Sequence, residues 1–77
     1  MNAEMAKLQN LKDNAFFSEC LEIQQDDTEL DQYIILFKNN FVNGLDLLEI
    51  ISAGFRINDV YSDNGIQHVT VEVYRDD

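Results

Sequence analysis

Residues 55–74 read FRINDVYSDNGIQHVTVEVY, and the register of this stretch decides the fold. Asp63-Asn64-Gly65 is a hairpin turn signal, because asparagine and glycine accept the positive φ angles that tight turns require. On either side of it, apolar and polar residues alternate at the period of a strand. Two registers compete. A two-residue Asn-Gly turn pairs Asp63 with Ile66 and sets Phe55 and Ile57 opposite Tyr74 and Glu72. A three-residue turn with Gly65 as its left-handed residue pairs Ser62 with Ile66, and then Phe55 faces Val73, Ile57 faces Val71 and Tyr61 faces Gln67, with Val69 on the same side. Burial favours the second register, since a one-residue slip sends the valines to the wrong face. The other face then shows Arg56, Asn58, His68, Thr70, Glu72 and Tyr74, with Val60 across from His68. Residues 75–77 are expected to fray.

Upstream, the stretch NNFVNGLDLLEIISAGF (residues 39–55) is a helix with its punctuation. Asn39, Asn40 or Asn43 caps its start. Between Leu45 and Ala53 only Asp46, Glu49 and Ser52 are polar, which predicts a mostly buried helix with a thin wet stripe. Gly54 leaves it with positive φ, and Phe55 clasps the end. Residues 30–38, LDQYIILFK, form a strand apolar on both faces. One helix covers one side, leaving the other to the N-terminal helix or to a second copy of the chain. Residues 16–23, FFSECLEI, read as a strand with Phe17, Leu21 and Ile23 on one face and Phe16, Ser18, Cys20 and Glu22 on the other. The acidic loop between these strands joins them antiparallel. Residues 2–13 are a short helix, with Met1, Met5, Leu8 and Leu11 or Lys12 along a narrow stripe.

The order α-β-β-α-β-β predicts one small α+β domain over residues 1–77. An N-terminal amphipathic helix (1–13) precedes an acidic β-β-α-β-β unit (16–77). The sheet is four-stranded and mainly antiparallel, with the largely buried second helix on one face.

Charge is the strongest compositional signal. Fifteen acids oppose five bases, for a net charge of −10 in 77 residues. Residues 1–15 are balanced, with Glu4 and Asp13 against Lys7 and Lys12, so residues 16–77 carry the whole excess. Such a surface repels nucleic acid and anionic lipid and attracts basic partners. The apolar fraction of 45% is enough for a core. There is no basic, apolar leader and no run approaching a membrane span. A lone thiol, Cys20, without an export signal predicts a reducing, cytoplasmic setting.

Catalytic and metal-binding patterns are missing from the sequence. EF-hand loops begun at Asp26, Asp27, Asp59 or Asp63 lack the required glycine and glutamate. One cysteine and one histidine cannot complete a zinc site. His68 has no orienting carboxylate close by, and Cys20 has no basic sequence neighbour to lower its pKa. The sequence therefore predicts a protein without cofactor, metal or enzymatic activity.

The remaining reading is a non-catalytic acidic protein-binding module, an inhibitor or adaptor. Its partner would be a basic protein surface such as that of a nuclease or another nucleic-acid-binding protein. The candidate contact residues are Glu19, Glu22, Asp26, Asp27, Glu29, Asp31, Asp46 and Glu49, with Asp59, Asp63 and Glu72 as further acids. No strand carries a long same-face acidic series, so the pattern is a loose acidic patch rather than a ruler-like nucleic-acid mimic. In size and acidity the chain loosely resembles phage or mobile-element inhibitors of host nucleases. The alternative is a structural or accessory protein acting as a homo-oligomer, a homodimer in its simplest form, on the strength of the apolar surplus at Tyr33–Phe37.

Overall fold

The structure, a computed structural model, describes residues 2–13, 20–26, 31–38 and 42–74. It contains α1 (Ala3–Asp13), β1 (Cys20–Gln25), β2 (Gln32–Phe37), α2 (Gly44–Ser52), β3 (Phe55–Asp63) and β4 (Ile66–Val73). This is the expected α+β order. The four strands form one sheet in the order β1-β2-β4-β3, with every neighbouring pair antiparallel. The inner strands are the ones whose residues suit enclosure: β2 is apolar apart from Gln32, and β4 alternates polar and apolar from His68 to Val73. The acids Glu22, Asp59 and Asp63 fall on β1 and β3, where charge discourages edge-to-edge pairing with another chain.

Both helices lie on the same face. Tyr33, Ile35 and Phe37 on β2, Val69 and Val71 on β4 and Phe55 on β3 are buried together with Leu8 and Leu11 of α1 and Ile50 of α2. Helix α1 packs over β1 and α2 beside β3. Tyr33 ties the layers together. Its hydroxyl donates to Asn2 Oδ1 at 3.1 Å, and its ring meets Phe55 edge to face at 6.1 Å. The same Asn2 oxygen caps α1 by accepting the Met5 N–H at 2.7 Å. Among the described residues, neither helix covers the far side of β2.

The hairpin resolves the choice of register by combining both options. Asn64 and Gly65 have φ of 53° and 78°, and Asp63 pairs with Ile66, so the turn is the two-residue one. Yet Phe55 pairs with Val73 and Ile57 with Val71, as burial demanded. A bulge between Ile57 and Asp59 absorbs the difference: Asn58 is the extra residue, and the register slips by one across it. His68 consequently faces Tyr61 and not Val60, and the rings stack at 4.8 Å. Gly65→Ala is expected to cost about 1 kcal/mol through its left-handed φ, read as a lower urea midpoint with unchanged slope.

A second bulge corrects the reading of β1. Cys20 pairs with Phe37 and Ile23 with Ile35, with the register shifting between Cys20 and Glu22. Cys20 thus joins Ile23 on the helix-covered side, half-buried, while Leu21 sits in the bulge and is exposed. Period-two counting fails here because the extra residue inverts every side chain beyond it. Residues 16–19, also expected in this strand, lie outside the described residues, as does Leu30 before β2.

Helix α2 is only partly buried, and its wet stripe is not where the polar residues predicted it. Asp46 is 3% exposed and Ile50 fully buried, while Leu45, Leu48 and Ile51 are 67%, 58% and 54% exposed. A nine-residue helix on a sheet turns one narrow stripe inward. That stripe runs through Asp46, Ile50 and Ala53, and α1 over β1 does not wrap the opposite side. Asp46 belongs to the first turn, where a carboxylate is favoured by the helix dipole. Of the three capping candidates, Asn43 does the work: its side chain accepts the Leu45 N–H at 2.8 Å. Asn39 and Asn40 lie outside the described residues. Asn43→Ala should lower the unfolding free energy by about 1 kcal/mol. Gly54 has the expected positive φ, 97°, and Phe55 is buried behind it.

Candidate protein-binding surface

The registers assign the side chains of the helix-free face row by row. Residues paired across strands point to the same side. Glu22, Leu36, His68 and Tyr61 make one row from β1 to β3. Gln24, Ile34, Thr70 and Asp59 make the next, and Gln32, Glu72 and Arg56 a third. Ile66 and Asp63 close the face at the hairpin. Its centre, Ile34 and Leu36, is half-buried, and neither of the described helices lies above it.

The margins of this face are acidic. Glu22, Asp59 and Asp63 are exposed, on the two edge strands. Glu22 accepts from Gln24 Nε2 at 3.2 Å, and Asp59 Oδ1 accepts the Val60 N–H at 2.9 Å; both contacts fix a carboxylate without neutralising it. Glu72 is the exception, ion-paired with Arg56. Among the described strand residues, Arg56 is the only lysine or arginine on this face, and Lys38 lies just beyond the end of β2.

The predicted contact residues do not form a single patch. Glu22 is on the helix-free face. Asp26 and Asp31 are half-buried at the ends of the acidic loop. Both are held by backbone: the Asp26 N–H donates to the Gln32 carbonyl, and the Asp31 carbonyl accepts the Val73 N–H, each at 2.9 Å. Asp31 has φ of 68°, the left-handed conformation aspartate tolerates in turns. Asp46 and Glu49 belong to the helical layer on the other side, and burial takes Asp46 out of any surface. Glu19, Asp27 and Glu29 lie outside the described residues. The exposed Leu45, Leu48 and Ile51 were missed, because the polar positions Asp46, Glu49 and Ser52 marked the wet side in sequence, whereas Asp46 turns inward.

Among the described residues no three His, Cys, Asp or Glu side chains come together as a metal-ligand set. No helix among them is long and apolar enough to cross a membrane. His68 Nδ1 lies 3.1 Å from the Ile66 carbonyl. Burial pushes the Cys20 thiol above its ordinary pKa, a shift that Lys12 opposes and Asp46 reinforces. A raised pKa means less thiolate, so Cys20 should be alkylated by iodoacetamide at pH 8 more slowly than free glutathione. An equal or faster rate would mean that the thiol is not shielded. Comparison with family models, curated proteins and solved structures found no match to this chain, so the functional reading rests on its own geometry.

Proposed function

We propose that this chain is a non-catalytic acidic protein-binding module, an inhibitor or adaptor that engages a basic protein surface. A nuclease or another nucleic-acid-binding protein offers such a surface, in the groove that normally holds phosphate. The observation that carries the reading is the sheet face that neither described helix covers, with Glu22 on one edge strand, Asp59 and Asp63 on the other and its one strand arginine already paired, in a chain of net charge −10. Long-range attraction steers a cationic partner toward such a surface and speeds association. The same field disfavours direct contact with nucleic acid or anionic membrane. A reducing, cytoplasmic setting belongs to this reading and suits the free thiol of Cys20.

The test is capture from lysate on the purified chain at low and then high salt, followed by affinity measurement on each captured protein. A basic partner released by salt, and weakened by E22K/D59K on the two edge strands of that face, is the expected result. Partners that bind equally well at high salt, or that ignore the charge reversal, would contradict it.

The exposed Leu45, Leu48 and Ile51 favour a second reading, self-association through α2. Surface apolar side chains grouped on one helix gain from burial against a twin. Under this reading the mass in solution is twice the chain's 8.9 kDa, and L45E/L48E returns it to the monomer value. A monomer at all concentrations removes this reading and leaves the first intact.

A further inference from the structure

We propose that the helix-free sheet face is the docking site for a basic amphipathic helix of the partner protein. The inference rests on the acidic-module reading and specifies its surface and the shape of what it binds. The face has an apolar centre at Ile34 and Leu36, extended by Ile66 and by the stacked Tyr61–His68 pair. Glu22 lies to one side of this centre on β1, and Asp59 and Asp63 lie to the other on β3. From β1 to β3 is three strand spacings, about 14 Å at ~4.8 Å each. A helix with side chains is ~10–12 Å across. A single helix laid on β2 and β4 therefore covers the apolar centre, and lysines or arginines flanking its apolar seam reach carboxylates on both margins. An antiparallel sheet with both described helices on one face and a half-buried apolar centre on the other accepts a helix there as a third layer.

Charge selects this occupant over the others. A second copy placed face to face would set the same carboxylates against each other. Helix α1 has no net charge, with Glu4 and Asp13 against Lys7 and Lys12, and α2 carries Asp46 and Glu49 without a base, so neither helix of a twin offers the cations. Nucleic acid and anionic lipid meet the wrong sign.

The test uses two synthetic peptides of identical Leu/Lys composition and ~18 residues, one patterned as an amphipathic helix and one scrambled to remove the apolar stripe. Each is titrated into the ¹⁵N-labelled full chain at low salt. The patterned peptide is expected to bind at least about tenfold more tightly, since the scrambled one gains charge attraction without burial of a seam. Its amide shifts should centre on Ile34, Leu36, His68, Thr70 and Tyr61. Thr70→Lys puts a cation at the centre of the face and should weaken the patterned peptide by about tenfold or more. A dispersed spectrum shows that the variant is folded; if it is not, the wild-type shift map alone decides. Equal affinity for the two peptides, or shifts confined to Asp26, Asp31 and α2, would overturn the docking site while leaving the acidic-module reading in place. No binding of either peptide at low salt would overturn both.

Discussion

Phe37→Ala should remove most of this chain's stability, whereas Leu36→Ala, one residue earlier, should leave it folded. Phe37 is 1% exposed beneath the helices, and Leu36 is half-buried on the helix-free face. Removing a buried phenylalanine ring costs about 3–5 kcal/mol, lost transfer energy plus the cavity left behind. At ~0.05–0.15 kcal/mol per residue, a chain of 77 residues has about 4–12 kcal/mol in total. The variant should therefore unfold at low urea or populate the unfolded state in buffer. Leu36→Ala removes side-chain surface that is only partly withdrawn from water, a loss of about 1 kcal/mol. Its larger effect should fall on binding. The two urea curves check this, and similar midpoints would mean that β2 is covered equally on both sides.

This adjacent pair also shows what the sequence could and could not disclose. That residues 30–38 form a strand was legible from their β-branched and aromatic content, and the hairpin was legible from Asp63-Asn64-Gly65. Where the helices go was not. An apolar run on both faces of β2 states that two surfaces want cover without saying which receives it. The covered face is set by long-range packing, with Leu8, Leu11 and Ile50 all arriving on the side of Tyr33, Ile35 and Phe37. The bulges at Leu21 and Asn58 were invisible for a related reason: each inserts one residue whose only signature is the register of the partner strand. Of the candidate surface, the acidity was plain from composition. The division of the acids was not, since it depends on α2 turning Asp46 inward and on the edge strands holding Glu22, Asp59 and Asp63 outward.

The second large effect is expected from E22K/D59K. Each substitution changes the charge by +2, so the net charge moves from −10 to −6, and both changes fall on the margins of the helix-free face. Both side chains are exposed, so the fold should be retained. Affinity for the patterned Leu/Lys peptide should fall by about 10- to 100-fold at low salt, mostly as slower association and loss of close charge pairs. At ~1 M salt, where screening acts within ~3 Å, variant and parent should converge. E22Q/D59N, which removes charge without reversing it, should lie between them. Calorimetric titrations across a salt series give all three values. Unchanged affinity at low salt would place the cation contacts elsewhere, at the acidic loop between β1 and β2.

Each of these binding expectations requires that one face of β2 is covered by helices and the other is open. Adjacent isoleucines report on this directly: Ile35 is fully buried and Ile34 is half-buried on the opposite face. The decisive measurement is the relaxation of the Ile34 and Ile35 methyl groups by a soluble, uncharged gadolinium chelate. Strong relaxation at Ile34 with little at Ile35, unchanged on dilution, is the expected result. Equal protection of the two would contradict an open acidic face, because something would already cover it.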